Sequence, residues 1–514
     1  MPAPDPALLK RTDWRLLLPW PGGEPFSSLV LLGAPPGLAE GLRETGVALQ
    51  VEADGAGPAP AVAVLSGAPA ALAQGVQALA PGGVLYGETG DLAAARQALG
   101  EQGLEVLGTW AVWPGFEKPQ VYIPLEAPRA VRWFGRTLYP AWTVRKRLLR
   151  GSLPLLERAP DRGARFLMRS FAFTAVRPPA NGGVPVLLDH PALPRGLREG
   201  AVPLLVTHGR ERTVLMPFPR DGHSPWGVLK VPRRPTLNGK TVAEQEALTG
   251  LRQRLDPAVR SALPIPGGLL GWNGAAVGIE SYLPGVSMVG PGLPWRRPSF
   301  RQVGDLRLAA AWLTEVHRET EEERVAWGPE AVARWIEPVF EAVRRLGASE
   351  REERLFAAAG RRAEALEGVP LPMVWQHRDF TPWNLLRASG QGKGDLRVLD
   401  WEGARPGLPL CDLLHFVTHW HELARSAFDA RHRLRAFREL WTGRPGSGPA
   451  AAAALDAVAL YCSRLRIDLG FLPLLLVVTW AELTARSGSP GRPYLDALAG
   501  HGERLFAPAG EGSR

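Results

Sequence analysis

Two cysteines in 514 residues, Cys411 and Cys462, cannot build a disulfide framework or a thiolate metal site, and their scarcity fits a reducing cytoplasm. Lysine is nearly as rare. It occurs only at positions 10, 118, 146, 230, 240 and 393, so arginine carries the basic charge and each lysine is informative. The N-terminus has no sustained apolar stretch behind a basic head, so no signal peptide is expected. The most apolar segment, Leu469 to Ala481, is too short to span a bilayer and contains Pro473; it reads as a buried helix. No internal repeat is found, and no nucleic acid partner is expected.

What is there is a composition of globular type, with 45% hydrophobic and 22% charged residues, in a chain long enough for two or three domains. The net charge of +9 and the pI near 10.0 suit anionic partners, nucleotides included. Residues 1–128 alternate short apolar runs with helix-like runs: Ser28 to Gly33, Ala48 to Glu52, Ala61 to Leu65 and Gly83 to Tyr86 read as strands. Leu38 to Glu44 and Pro69 to Leu79 read as helices. That alternation argues for an α/β domain with a mostly parallel sheet. Residues 129–195 form a basic linker region, with Arg145, Lys146, Arg147 and Arg150 close together and Trp133, Tyr139 and Trp142 interleaved. It reads as a solvated connection or, alternatively, as a weak contact for a membrane surface through 129–169. Strands resume in 196–284, and from 285 to 514 the apolar spacing becomes helical.

The chemistry gathers between Met373 and Asp412. His377, Asp379 and Asn384 form an H-x-D-x-x-x-x-N pattern that leads into the apolar pair Leu385-Leu386. A turn-rich segment follows, and then Leu396 to Asp400. A hairpin centred near Gly392 places Asn384 across from Asp400, because cross-strand partners are equidistant from the turn. Two oxygen-bearing side chains at one hairpin end suit Mg²⁺, which takes one or two protein carboxylates together with phosphate oxygens. A carboxylate left over, Asp379, can accept a proton from an attacking hydroxyl. Together these residues form a phosphoryl-transfer constellation.

The stretches HRDFTPWNLL and VLDWEGARPGLPLCDLL resemble the two motifs of the aminoglycoside phosphotransferase and choline kinase branch of the kinase fold. That resemblance implies an α+β, two-lobed, protein-kinase-like fold, with 196–284 as the smaller lobe and 285–514 as the helical one. It implies ATP and Mg²⁺ as cofactors, Asp379 as the catalytic base, and Asn384 and Asp400 as metal ligands. Gly227 to Val231 resembles the strand whose lysine holds the phosphates, and Lys230 matches it. Family spacing points to Glu246, rather than Glu244, as its ion-pair partner. Main-chain groups at Glu280, Ser281 and Tyr282 match the hinge that bonds adenine, with side-chain identity of little weight. His317 reads as packing, His377 as a brace for the loop and Asp412 as fixing backbone beyond the hairpin. No G-x-G-x-x-G covers the phosphates and no D-F-G follows; Trp401 stands after Asp400.

Only residues 401–411 separate Asp400 from Asp412, too few for a peptide-binding platform. The acceptor expected is therefore a small hydroxyl compound: a sugar, a sugar derivative or an amino alcohol. The arginines of the C-terminal helices put neutral and anionic compounds ahead of aminoglycosides. The alternative is a nucleotide-binding scaffold that has lost turnover, a pseudokinase.

The first domain, through LAPGGVLYGE and its strand order, resembles a truncated, Rossmann-like class I methyltransferase. Its glycine-rich loop is reduced to GAPPG, whose prolines remove backbone donors. Too few residues follow Asp54 for another helix and strand. Productive binding of S-adenosylmethionine is therefore not expected, and Glu52 and Asp54 are the acids placed where such a domain holds a ribose.

Overall fold

The computed structural model describes residues 6–19, 25–55, 57–138, 168–178, 187–207, 209, 211–289, 300–388, 396–442, 448–487 and 491–506. They divide into two compact units: one made of 1–245 with 265–283, the other of 246–264 with 284–514.

The first unit is built on a twelve-stranded sheet. Its strands are β1 (Phe26–Leu32), β2 (Ala48–Ala53), β3 (Ala59–Val64), β4 (Leu79–Thr89), β5 (Glu105–Trp113) and β6 (Val121–Pro124), followed by β7 (Phe171–Val176), β8 (Ala201–Val206), β9 (Arg212–Pro219), β10 (Gly227–Pro232), β11 (Pro266–Trp272) and β12 (Ala275–Ser281). Their spatial order is 11-12-10-9-8-6-5-7-4-3-1-2. β2, β1, β3 and β4 are parallel. β1 and β3 are the near-continuous apolar runs that a strand covered on both faces requires, with Leu29, Leu31, Ala61, Val62 and Ala63 fully buried. β2 leads to β3 through residues 54–58 alone, with Asp54 at a φ of 54°, so no further helix and strand intervenes.

From β7 onward the neighbours are antiparallel. β6 pairs with β8 through Val121–Val206 and Tyr122–Leu205, so the strands of segments 1–128 and 196–284, separate in the sequence pattern, share one sheet. Trp110 reinforces the joint by donating its indole N–H to the Pro203 carbonyl at 2.8 Å. Of the basic run, residues 139–167 lie outside the described residues. The helix Pro128–Thr137 buries Val131, Trp133 and Phe134, and Trp133 Nε1 donates to Tyr282 Oη at 3.0 Å. Trp133 is therefore a core residue and not an aromatic anchor for a membrane.

The N-terminal segment is locked under the antiparallel end by charge. Asp13 and Arg233 are fully buried and meet through paired hydrogen bonds, Nε to Oδ1 at 2.9 Å and Nη2 to Oδ2 at 2.6 Å. Arg233 also donates to the carbonyls of Thr207 (2.9 Å) and Gly209 (2.7 Å). Arg15 lies 3.3 Å from the same Asp13, and burial lowers its guanidinium to about 10.

The second unit is helical, with two small three-stranded sheets. β13 (Val286–Ser287), β16 (Leu385–Arg387) and β17 (Leu396–Val398) form one; β14 (Glu323–Ala326), β15 (Pro370–Gln376) and β18 (Arg405–Gly407) form the other. The helices Phe300–Glu319, Glu350–Glu364, Cys411–Ala424, Ala430–Trp441, Pro449–Leu465, Phe471–Ser487 and Arg492–Ala499 pack around one core. Within the helical spacing of 285–514 one break occurs at 336: the helices Pro329–Trp335 and Glu337–Arg345 meet at Ile336. Pro338 explains the break, since it lacks the N–H and its ring crowds the carbonyl four residues back. The apolar helix Phe471–Ser487 lies in the core, and no described helix is long and apolar enough to cross a membrane.

Removing Asp13 leaves Arg233 and Arg15 buried without their counter-charge, which typically costs about 3–5 kcal/mol. Asp13→Ala is therefore expected to lower the unfolding free energy by that amount in urea titrations. A loss below about 1 kcal/mol, the range of surface pairs, would show that this lock is not structural.

Candidate active site

β15 leads into the loop that carries Asp379, and β18 holds the strand from one side through the pairs Val374–Gly407 and Gln376–Arg405. The turn that follows rests on one carboxylate. Asp412, in the first turn of the helix Cys411–Ala424, accepts the backbone N–H of His377 at 2.5 Å and that of Arg378 at 2.7 Å. Arg378 adopts a φ of 68°, a left-handed conformation that costs an L-residue roughly 1–2 kcal/mol. The two charge-assisted bonds from Asp412 offset that cost. Burial works against the ionised form of Asp412, but His317, His377 and these N–H groups outweigh it and hold the carboxyl below its ordinary range.

His317 does more than pack. Its Nε2 lies 3.7 Å from Asp412, and its Nδ1 meets Tyr461 Oη at 2.5 Å. Tyr461 in turn accepts the N–H of Leu410 at 3.1 Å.

His377 braces the loop as its position suggested. Nδ1 accepts the N–H of Asp379 at 3.2 Å and Nε2 faces the Leu399 carbonyl at 2.8 Å, an arrangement that assigns the proton to Nε2. The ring lies against Trp401, with centroids 4.5 Å apart. Asp379 is thereby turned outward to solvent. Protein crowded around its carboxyl raises it above the ordinary range, and His377, Asn384 and Arg486 only partly compensate. Asn384, at the end of the 3-10 turn Pro382–Asn384, donates its amide to Asp379 Oδ2 at 2.8 Å and to the Asp379 carbonyl at 2.9 Å.

The hairpin register differs from the expected one by a residue. Leu385 faces Val398 and Leu386 faces Arg397, so Asn384 stands opposite Leu399, whose N–H its carbonyl accepts at 2.9 Å. Asp400 comes one residue later, half-buried, at a φ of 70° that aspartate tolerates. Among the described residues, no group of three or more His, Cys, Asp or Glu side chains could hold a metal unaided. Asn384, whose amide nitrogen is engaged by Asp379, keeps its Oδ1 for a cation, and with Asp400 it supplies two hard oxygen donors. That set fits Mg²⁺ completed by phosphate and water and does not fit a soft or fully protein-bound ion.

In the other unit, Lys230 is buried on β10 and forms ion pairs with Glu244 and, at 3.0 Å, with Glu280. Arg212 Nη1 approaches Glu244 Oε2 at 2.5 Å. Burial disfavours the charge on Glu244, yet Lys230 and Arg212 overcome it and hold the carboxyl down to about 2. Burial, reinforced by the charge of Glu244, raises Glu280. The partner of Lys230 is thus Glu244, and the assignment of Glu246 is corrected: Glu246 is exposed. Helical geometry decides it, because Thr241, Glu244, Gln245 and Leu248 share the buried face of Asn238–Arg254 and Glu246 lies off it.

The side chain of Glu280 also matters, contrary to expectation. It stands opposite Val228, diagonal to Lys230 on the same sheet face. The Ser281 N–H donates to the Ile265 carbonyl and its hydroxyl accepts the Ile265 N–H, each at 2.9 Å. Tyr282 is tied to Trp133.

A crevice of about 770 Å³ opens where the parallel strands end, lined by Leu8, Arg11, Gly33, Ser66, Glu88 and Phe116 among others. Arg11 and Glu88 pair in it at 2.8 Å, and burial lifts the Glu88 carboxyl to about 7. Glu52 and Asp54 do not line it, so the acids placed at a ribose site stand elsewhere.

Residues 220–447 match the model of the phosphotransferase enzyme family. That segment contains Lys230, Glu244, Asp379, Asn384, Asp400 and Asp412, and over it the chain is similar to phosphotransferases. No curated protein matches the chain. Among solved structures, a choline/ethanolamine kinase family protein from Mesorhizobium loti overlaps 58% of this chain and 87% of its own at 16% identity and a TM-score of 0.31. A microcompartment-associated aminopropanol kinase overlaps 60% and 92% at 15% identity and a TM-score of 0.37. An aminoglycoside phosphotransferase from Streptomyces rimosus, solved with ADP and streptomycin, overlaps 56% and 90% at 15% identity and a TM-score of 0.31.

The corrected ion pair separates two neighbouring glutamates. Glu244→Gln is expected to lower kcat/KM about ten- to a hundredfold, the worth of a hydrogen bond to a charged group, while Glu246→Gln stays within about twofold. Steady-state kinetics with varied ATP checks this, and the reverse order would restore Glu246 to the role.

Proposed function

We propose that this chain is an ATP- and Mg²⁺-dependent phosphotransferase that moves the γ-phosphoryl group to a hydroxyl of a small molecule, such as a sugar, a sugar derivative or an amino alcohol. The observation that carries the reading is the loop fixed by Asp412, which turns Asp379 outward beside Asn384 while Asp400 follows two residues beyond the opposite strand. Lys230, pinned by Glu244, grips the nucleotide's phosphates as a compact point charge. Main chain from Glu280 to Tyr282 holds the base. Asn384 and Asp400 hold Mg²⁺, which when bound neutralises phosphate charge.

Asp379 accepts the proton of the acceptor hydroxyl as its oxygen bonds to the γ-phosphorus and ADP departs. A carboxyl raised above its ordinary range is a better base for that proton. Residues 1–128, whose strands share the twelve-stranded sheet, serve as a truncated, methyltransferase-like structural part. A non-catalytic nucleotide scaffold is the second reading; the weak phosphate loop, with Gly209 alone, favours it.

Asp379→Asn is expected to keep Mg-ATP affinity within a few-fold while kcat falls about 10²–10⁴-fold. Asp400→Ala should remove the Mg²⁺ dependence of nucleotide binding. Nucleotide-induced thermal shifts with and without Mg²⁺, combined with acceptor-dependent ADP release, measure both. Unchanged turnover in the two variants would refute these roles.

A further inference from the structure

The helix Phe471–Ser487 presents Thr479, Glu482, Leu483 and Arg486 along one face, at the spacing of successive turns, toward the catalytic loop. Three guanidinium groups converge there. Arg378, the residue before Asp379, forms an ion pair with Glu482. Arg405 reaches the same Glu482 oxygen at 3.3 Å. Arg486 donates Nη2 to the carbonyl of Arg378 at 2.8 Å. Glu482 is thus one carboxylate shared by two cations. Among the described residues, no carboxylate lies within ion-pair distance of Arg486.

Asp412 lines the same small cavity, but its oxygens are taken by the N–H groups of His377 and Arg378. His415, also lining it, is buried and kept neutral by that burial and by His419 and Arg486. Crowding and the neighbouring Arg378 disfavour the charge on Arg486 more than Glu482, Asp379 and Asp412 favour it. Arg486 is open to solvent beside the proton acceptor, and a guanidinium so placed, with no carboxylate at ion-pair distance among the described residues, is a site for a ligand anion.

Two carboxylates on the helices Cys411–Ala424 and Ala430–Trp441 are already engaged. Glu422 is buried and engaged by Tyr494 at 2.5 Å and by His419 at 2.9 Å. Glu439 is shared by Arg425 and Arg435. A polyamine would find these carboxylates already used. An apolar wall is available, though: Trp383, one residue before Asn384, is 44% exposed and can cover the face of a carbon skeleton.

We propose that the acceptor is a small polyhydroxy anion, whose carboxylate or phosphate is anchored by Arg486 so that a hydroxyl elsewhere on the molecule reaches Asp379. This rests on the phosphotransfer reading and narrows it. Arg486 is a specificity-determining residue: it sets which molecule is held and leaves the proton transfer to Asp379.

The test is calorimetric binding to the full chain, without nucleotide, of compounds that differ in charge. Gluconate, glucose 6-phosphate and glycerate are compared with glucose, glucosamine and glycerol. At least one anion is expected to bind about tenfold or more tighter than its neutral and cationic counterparts. Arg486→Gln should abolish that preference and Arg486→Lys should retain part of it, both with an unchanged melting temperature. Equal or tighter binding of the neutral or cationic compounds overturns the inference, as does an anion preference that survives Arg486→Gln, or no measurable binding of any of the six. Mg-ATP binding is measured on the same preparation. Its absence would defeat the phosphotransfer reading while the anion result stood by itself.

Discussion

One buried carboxylate organises the loop that carries Asp379. Asp412 gathers two consecutive backbone N–H groups, and in doing so it holds Arg378 in a conformation that its side chain alone would disfavour. The position of everything after Arg378 follows. Asp379 turns outward, its N–H closes on His377, and Asn384 reaches back to its carboxylate. The connection from Leu410 through Tyr461 to His317 ties the same aspartate to the helices Pro449–Leu465 and Phe300–Glu319. The geometry of an exposed acid is thus determined by a buried one, which water screens much less.

The first unit solves a related problem with the same means. Lys230 is a buried cation and would be costly alone; Glu244 and Glu280 supply the counter-charge, and Arg212 prevents the pair of acids from repelling each other unopposed. Asp13 does the corresponding work for Arg233 and Arg15. Asp13 and Arg233 meet across 220 residues, and Lys230, Glu244 and Glu280 come from three different elements, so the ion pairs specify how the N-terminal segment, the sheet and the helix Asn238–Arg254 fit together.

Contiguous features were legible in the sequence, and features that depend on a face or a half-residue of register were not. His377, Asp379 and Asn384 lie on one short loop, and the helices Glu350–Glu364, Cys411–Ala424 and Pro449–Leu465 fall in the stretch 285–514 whose apolar spacing is helical, because local spacing determines both. The strands pair Leu385 with Val398, a register half a residue from one centred at Gly392, and that half-residue moves Asn384 from Asp400 to Leu399. Family spacing points to Glu246, whereas the helical face marked by Thr241 and Leu248 selects Glu244. Glu280 was read for its main chain because its diagonal relation to Lys230 exists only once β10 and β12 are paired. The union of the two strand-bearing segments in one sheet had no sequence signal at all, since it depends on the β6–β8 pairing across residues 125–200.

The central claim is that a phosphoryl group moves from ATP to a carbon-bound hydroxyl, and phosphorus-31 NMR of the reacting mixture observes that event directly. With Mg-ATP and a mixture of sugars, sugar acids and amino alcohols, the account predicts that the γ-phosphorus resonance is replaced, one for one with ADP, by that of a phosphomonoester. Without an acceptor the ATP should persist. ATP that is bound but left intact with every acceptor, or converted only to inorganic phosphate, would contradict the account.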